Sequence, residues 1–192
     1  DNWCSVGDFR GMMKNWILTK LLWDPNLDLR ALERDFISGY YGKAAKYMQE
    51  YNDLLVAEWK AYHAKYRPAN KKRFEVSDAW LTKADSLLNQ AFEAAKGDDK
   101  LTEKLERDEI CQIYAKLEKG INFYESSEKY YADIKKIRSL CKKFGINSFA
   151  ENVNPLLKFT AWENKPQYDA LKKSTPNTVI FWVDTVQLAL RP

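Results

Sequence analysis

The chain has 192 residues, of which 45% are hydrophobic and 30% are charged. This balance excludes an intrinsically disordered protein and allows one domain, or one domain with an appendage. The 31 basic and 27 acidic residues give a net charge of +4, and the basic residues form only short runs, so we expect no nucleic-acid partner. No run of about 18 apolar residues occurs, so we also expect no membrane-spanning helix.

Helical periodicity dominates residues 8–145. A first helix is predicted over residues 8–23, with Asp8 as its N-cap and the Asp24-Pro25 pair as its end, because a residue before proline is disfavoured in the helical region. Its apolar stripe consists of Phe9, Met13, Trp16, Ile17 and Leu21. A second helix is predicted to begin at Asp28 and to end at Gly42, where a missing Cβ permits a left-handed residue. Its apolar face consists of Leu29, Leu32, Phe36, Ile37 and Tyr40.

The third helix has the clearest pattern, a seam of alternating four- and three-residue steps that stops before Pro68. The seam consists of Ala44, Met48, Tyr51, Leu55, Trp59, Tyr62 and Tyr66. After a polar segment, Ser77 is predicted to cap a fourth helix that Gly97 ends.

A fifth helix is predicted over residues 100–124, with Gly120 inside it at a cost of about 1 kcal/mol relative to alanine. A close helix crossing would explain that glycine. Ser126 or Ser127 would cap a sixth helix that ends at Gly145. Periodicity is lost afterwards, apart from one or two helical turns expected over residues 168–173, and residues 178–190 are rich in β-branched and aromatic side chains. We therefore predict an all-α fold, an up-and-down bundle of about six helices with a short irregular or β C-terminal tail.

The side chains that carry chemistry are few. His63 is the single histidine, and Cys4, Cys111 and Cys141 form no CxxC pair, which argues against a zinc or redox site. Cys111 and Cys141 fall on predicted apolar helix faces, and whether they pair stays open. No phosphate-binding glycine loop and no GxSxG elbow occurs. The carboxylates are many, but no pair stands out as the acid and base of a glycosidase. We predict no catalytic residue, no metal site and no cofactor in this chain.

Asn2 and Trp3 precede the first helix and combine a polar with an aromatic side chain. Aromatic residues make up 14% of the chain; most such side chains fill cores, but their faces also stack on sugars. We therefore name Asn2 and Trp3 as candidate substrate-binding residues, with a purely structural anchor as the alternative.

The region of residues 8–145 resembles the C-terminal part of a bacterial family of glycoside-hydrolase-like proteins of uncharacterised function, which is distantly similar to α-glucuronidases. The resemblance rests on Leu21-Leu22-Trp23-Asp24-Pro25, Asp28, Phe36, Gly39-Tyr40-Tyr41-Gly42, Ala44-Ala45 and Tyr51. In such proteins a (β/α)8 barrel carries catalysis on the loops that follow its strands, and a helical domain comes after it. The barrel is absent from this chain, so no catalytic residue can be transferred.

The resemblance implies that residues 1–23 are the last loop and helix of a preceding barrel domain. Residues 24–145 would then form the helical bundle domain and residues 146–192 the tail. It implies a non-catalytic C-terminal module of a glycoside hydrolase that acts on polysaccharides, secreted or at the bacterial periplasm or cell surface. Its partners would be its own catalytic barrel, which Trp16 and Trp23 would face, and a carbohydrate. A free-standing carbohydrate-binding or protein-interaction domain is the alternative, a small enzyme is a third, and the oligomeric state stays open.

Overall fold

The computed structural model of the chain describes residues 9–65, 74–149 and 154–174, and these ranges contain seven α-helices and no β-strand. The helices are α1 (Phe9–Trp23), α2 (Leu29–Tyr41), α3 (Ala45–Lys65), α4 (Asp78–Ala95), α5 (Asp99–Lys119), α6 (Ser127–Phe144) and α7 (Pro155–Ser174). Two short 3-10 turns, Gly42–Ala44 and Ile121–Phe123, lie between α2 and α3 and between α5 and α6. The predicted all-α class is confirmed.

Two compact units make up the chain, and the division between them falls after Lys116, within α5. We call residues 1–116 the first unit and residues 117–192 the second unit. The predicted domain boundaries at residues 23 and 145 stay predictions.

The first unit is assembled around α3, which packs against both α2 and α4, while α1 packs on α2. Its core is apolar and includes small residues that let helices approach closely. One cluster of its buried side chains consists of Met13, Ile17, Phe36, Ile37, Tyr41, Ala44, Met48, Leu88, Ala91, Ala95, Leu101 and Leu105. Each large side chain in this set contributes about 1.5–3 kcal/mol by leaving water.

Helix ends follow the predicted capping chemistry. The side chains of Asp28, Ser77 and Ser126 each accept a hydrogen bond from a backbone N–H in the first turn of α2, α4 and α6, which stabilises a helix by about 1 kcal/mol. Gly42 and Gly145 end α2 and α6 with φ of 47° and 64°. The predicted N-cap Asp8 lies outside the described residues.

The seam predicted for α3 is buried only in its first half. Met48, Tyr51 and Leu55 are in the core, whereas Trp59 is 47% exposed and Tyr62 is half-buried. Tyr66 lies outside the described residues. The periodic pattern therefore continues past the region where neighbouring helices cover it.

The predicted continuation of the fifth helix through Gly120 is wrong. α5 ends at Lys119, and Gly120 has φ of 86° before the 3-10 turn. A Cβ at Gly120 would meet the Lys165 side chain at an ordinary 3.7 Å, so crowding does not explain the glycine. Glycine is favoured here because its positive φ, which ends the helix, is strained for any residue with a Cβ.

The expectation of irregular structure is wrong for residues 155–167, which form α7 together with the helical turns expected over residues 168–173. Pro155 occupies the first helical position, where its missing N–H costs nothing, and the Asn154 side chain accepts from the N–H of Leu156 at 2.8 Å. Phe159 and Trp162, three residues apart, supply a buried face. The β-like residues 178–190 lie outside the described residues.

Pro166 lies inside α7, where it lacks the N–H that would bond to the carbonyl of Trp162. The hydroxyl of buried Tyr130, on α6, donates to that carbonyl at 2.8 Å. The Glu118 carboxylate also accepts from the indole Nε1 of Trp162 and from Lys158 Nζ, each at 2.9 Å. Side chains from α5 and α6 thus satisfy the polar groups that α7 presents, which explains why a helix containing proline persists here.

Candidate functional site

An apolar surface surrounds the turn between α1 and α2. Leu22 and Trp23, the last two residues of α1, are 87% and 92% exposed. Leu18, Leu27 and Leu29 are exposed large hydrophobic residues of the same segment. We call these five residues the Trp23 surface. An exposed cluster of large apolar side chains is typical of a protein–protein contact rather than of bare surface.

Local hydrogen bonds fix the backbone of this turn. The N–H of Asp24 continues α1 by bonding to the carbonyl of Lys20 at 2.9 Å. The Asp24 side chain then accepts from the N–H of Asn26 at 3.0 Å, and Asp28 caps α2 through the N–H of Ala31 at 2.5 Å. Two carboxylates thus hold the segment on either side of Pro25, and the exposed position of Trp23 follows from an ordered turn.

The opposite face of α1 belongs to the core. Met13 and Ile17 are buried, and the ring of Trp16 packs on Phe36 with centroids 5.9 Å apart. Trp16 and Trp23 were expected to face the same partner, but Trp16 contacts α2 and Trp23 is exposed. Leu29 was expected on the buried face of α2 and is exposed instead. Sequence periodicity missed Leu22 and Leu27, although the run Leu21-Leu22-Trp23 is wider than one helix stripe and signals a second apolar face.

Buried polar side chains form a second feature of the first unit. The Tyr41 hydroxyl donates to Asp108 at 2.5 Å. The Tyr51 hydroxyl donates to Gln112 at 3.1 Å, and Gln112 donates to Asp85 at 2.9 Å. Burial, followed by the charge of Asp108, raises the pKa of Tyr41 far above its usual range. These hydrogen bonds join side chains of different helices in the interior of the first unit. The groups therefore serve structure rather than acid–base chemistry on a substrate.

An open groove runs between α3 and α4, with an apolar floor and charged rims of both signs. It is lined by Glu50, Asp53, Leu54, Lys83, Ser86 and Leu87. Binding sites for small molecules are enclosed and have a few convergent polar groups. This groove is shallow and exposed, so it makes a weaker site candidate than the Trp23 surface.

The other residues singled out in the sequence are scattered. Asn2 and Trp3 lie outside the described residues. His63 is exposed, and the centroid of its ring lies 4.0 Å from the centroid of the Trp59 ring. Cys111 and Cys141 form no disulfide bond; Cys111 is exposed rather than on an apolar face, while Cys141 is buried, which raises its pKa to about 11.

Across residues 9–65, 74–149 and 154–174, no three His, Cys, Asp or Glu side chains gather closely enough to hold a metal ion. Among the helices described for this chain, none combines the length and the apolar character of a membrane span.

Comparison with known protein families matches the first part of the chain. The sequence model of a family described as "Domain of unknown function (DUF4838)" matches residues 2–53. No curated protein and no solved structure matches the chain. The matched segment runs from before α1 into α3, so it includes the whole Trp23 surface.

Proposed function

We propose that this chain is a non-catalytic helical module of a secreted glycoside hydrolase that acts on polysaccharides. In this proposal the Trp23 surface packs against a (β/α)8 catalytic barrel that precedes it in the full-length protein. The observation that carries the proposal is the exposure of Leu22 and Trp23 at the end of α1. Burying two such side chains would stabilise a domain contact by about 3–6 kcal/mol, since each contributes about 1.5–3 kcal/mol.

The place of the surface in the chain also supports a barrel as the partner. The surface lies within residues 2–53, which the family model describes, and the resemblance makes α1 the last helix of a barrel. The C-terminal helix of such a barrel would lead into the helical module through the turn at Pro25. A contact next to the covalent connection forms at high effective concentration, so a modest apolar area is sufficient to hold it.

The first experiment measures the apolar surface on the 192-residue chain itself. Binding of a hydrophobic dye is compared between the wild type and the Leu22→Ser/Trp23→Ser variant. The matched control is Trp59→Ser/Leu156→Ser, which removes the same two side-chain types from exposed positions elsewhere. We expect the Leu22/Trp23 variant to lose about half or more of the dye fluorescence, and the control to keep most of it. Equal losses would contradict a special role for the Trp23 surface.

The second experiment identifies the partner. The gene sequence upstream of the codon for Asp1 is expected to encode seven or eight strand–helix units. The purified 192-residue chain is expected to show no glycosidase turnover. Turnover by the chain alone, or an upstream sequence without a barrel, would overturn the proposal.

A carbohydrate-binding domain is the second candidate, and the aromatic cluster at the end of α3 favours it. Trp59 is exposed and lies against His63, and Tyr62 packs edge-on against Phe74 with centroids 5.2 Å apart. Such rings form a platform on which a sugar ring can stack. Saturable quenching of tryptophan fluorescence by xylan oligosaccharides, abolished by Trp59→Ala, would favour this candidate over the first.

A further inference from the structure

Apolar side chains lie on two opposite sides of α1. Met13 and Ile17 are buried against the rest of the first unit. The other side carries half-buried Asn15 and a strip of exposed residues, which are Met12, Leu18, Thr19, Leu22 and Trp23. We call these six residues the α1 outer face. A helix that is apolar all round is normally buried on every side, but the part of the chain that the structure describes covers only one side of α1.

The α1 outer face is long and broad. It extends from Met12, which is 43% exposed, to Trp23 at the end of the helix, a distance of about 16 Å at 1.5 Å per residue. Around the helix it covers about 140°, from Leu18 to Trp23, at 100° per residue. The seam between two helices is narrower than this. A partner that covers the whole face is therefore concave, as a groove between two neighbouring elements is.

The centre of the face is neutral. Thr19 lies there beside Asn15, and its hydroxyl donates to the backbone carbonyl of Asn15 at 2.8 Å. This bond within the helix satisfies the hydroxyl hydrogen. Lys14 and Lys20 are the charged residues of the range 12–23, and neither lies within the face. The centres of protein interfaces are likewise depleted of charge.

Lysines border the face on its two sides. Around the helix, Lys14 lies about 40° beyond Leu18 and Lys20 about 60° beyond Trp23. Both lysines are exposed, and Nζ of Lys20 lies over the ring of Trp16 at 5.4 Å from its centroid. The sequence of α1 contains no acidic residue. A surface that is complementary to α1 therefore has an apolar centre and carboxylates along its two edges.

We infer that α1 lies in an apolar groove bordered by carboxylates, and that this groove belongs to the barrel of the full-length protein. Leu18, Leu22 and Trp23 fill the groove, and Met12 extends the contact towards the start of the helix. Lys14 and Lys20 pair with carboxylates on opposite edges. The inference rests on the proposed function, which supplies the barrel, and it extends the contact from the Trp23 surface to the whole length of α1.

Two other occupants match the face less well. Contact between two copies of the chain through this face would bring the lysines of both copies together, and like charges in an interface oppose binding. Insertion into a lipid surface favours an unbroken apolar face, whereas Asn15 and Thr19 lie at the centre of this one.

The first test measures protection at the centre of the face. Thr19→Cys is introduced into the 192-residue chain and into the protein that the complete gene encodes, with Cys4→Ser and Cys111→Ser in both. Mass spectrometry of the peptide that contains residue 19 gives the rate of thiol alkylation. We expect the rate to be at least about 10-fold lower in the full-length protein, because a packed contact must open before the thiol reacts.

Thr82→Cys is the matched control for this test. Thr82 is an exposed threonine of α4, and its hydroxyl also donates to the carbonyl four residues before it, that of Asp78, at 3.1 Å. Its rates are expected to agree within about 2-fold between the two proteins, since a residue outside the contact needs no opening to react.

The second test reverses the charges at the edges. In the full-length Thr19→Cys protein, Lys14→Glu/Lys20→Glu is expected to raise the alkylation rate at least about 4-fold, since an exposed ion pair worth a factor of about two to three becomes a repulsion at each edge. Lys60→Glu/Lys83→Glu, at exposed positions of α3 and α4, is the control and should change the rate less than about 2-fold. The same variants of the 192-residue chain give the reference rates, and circular dichroism checks that they keep their helices, as lysine and glutamate have similar helix propensity.

Several outcomes would overturn the inference. Equal rates for Thr19→Cys in the two proteins would show that the α1 outer face is not covered, and equal effects of the two charge-reversed pairs would show that its edges do not meet carboxylates. Dimerisation of the 192-residue chain, or its binding to phosphatidylserine vesicles, would assign the face to another occupant if Leu22→Ser/Trp23→Ser abolished it.

These outcomes differ from those of the proposed function. Protection at residue 23 without protection at residue 19 would keep a barrel contact at the turn and reject a groove along α1. An upstream sequence without a barrel would reject the proposed function, while both thiol tests would still report whether another domain covers α1.

Discussion

The two units of the chain bury a tyrosine in similar ways but expose different chemistry to their surroundings. In the first unit Tyr41 donates to Asp108, and in the second unit Tyr130 donates to the carbonyl of Trp162. Outside, the first unit is electrically balanced and presents Leu22 and Trp23, whereas the second unit carries the net positive charge. The comparison teaches that helix packing and capping are common to both units, and that the units differ in the chemistry of their surfaces.

The largest expected effect comes from Trp162→Ala in the second unit. The substitution removes a buried indole and the hydrogen bond from its Nε1 to Glu118. We expect the free energy of unfolding to fall by about 3–5 kcal/mol, measured by urea denaturation, with hydrogen-exchange protection lost first in α7. Trp162→Phe is the control and should cost less than half as much. A loss below about 1 kcal/mol for the alanine variant would show that α7 is not anchored through this residue.

In the first unit, Tyr41→Phe is expected to lower the free energy of unfolding by about 1.5–3 kcal/mol, because the Asp108 carboxylate loses the hydrogen bond that it accepts from the Tyr41 hydroxyl. The neighbouring Tyr40→Phe is the matched control. Its hydroxyl donates only to the sulfur of Met12 at 3.4 Å, so its cost should stay within about 0.5 kcal/mol. Equal costs for the two variants would contradict the structural role assigned to Tyr41.

Tyr41 also makes the free energy of unfolding depend on pH, and its raised pKa fixes the direction of that dependence. Burial and then Asp108 raise the pKa of Tyr41 in the folded state, while the unfolded chain loses the proton near pH 10. Stability from Tyr41 is therefore fully present below about pH 10 and falls above it, by up to about 1.4 kcal/mol per pH unit. The pKa of Tyr40 is raised as well, so the comparison is made with and without Tyr41→Phe in a Tyr40→Phe background, from pH 8 to 11. A stability difference that does not shrink above pH 10 would contradict the assignment.

The second unit offers a double-mutant cycle between Tyr130 and Pro166. Tyr130→Phe removes the hydroxyl that bonds to the Trp162 carbonyl, and we expect a cost of about 1–2 kcal/mol. Pro166→Ala restores a backbone N–H that can bond to the same carbonyl. In that background Tyr130→Phe should cost about 1 kcal/mol less, and a coupling energy near zero would show that the two groups do not serve the same carbonyl.

The smallest expected effect comes from the side-chain caps at helix N-termini, which both units have. Ser77→Ala and Ser126→Ala remove side-chain caps of the same kind from α4 and α6. Each should lower the free energy of unfolding by about 1 kcal/mol. Ser139→Ala, at an exposed position inside α6, is the control and should stay within about 0.5 kcal/mol. A large difference between the two caps would mean that helix ends contribute unequally in the two units.

The sequence predicted the helices wherever caps and periodicity agreed. Asp28, Ser77, Ser126 and Gly145 marked helix ends correctly because capping depends on side chains within one turn. α7 was missed because Pro155 and Pro166 are helix breakers by local rules. α7 tolerates Pro166 because the hydroxyl of Tyr130 bonds to the carbonyl of Trp162, which the proline leaves without its usual donor. Tyr130 is remote in sequence, so no local pattern reveals that contact.

The surfaces were harder to predict than the helices. Periodicity identified Met13 and Ile17 as core residues, but it treated Leu29 as buried and passed over Leu22. The periodic pattern identifies the apolar residues of a helix, but packing decides whether a neighbouring helix covers them.

Protection of residue 23 in the proposed full-length protein, which carries the barrel, tests the central claim most directly. Trp23→Cys is introduced into the 192-residue chain and into the full-length protein, with Cys4→Ser and Cys111→Ser in both, and the rate of thiol alkylation is measured. The account predicts rapid alkylation in the 192-residue chain, because the position is 92% exposed, and alkylation slower by about 10-fold or more in the full-length protein, because a packed contact must open before reaction. Equal rates in the two proteins would contradict the claim that the Trp23 surface is a docking surface.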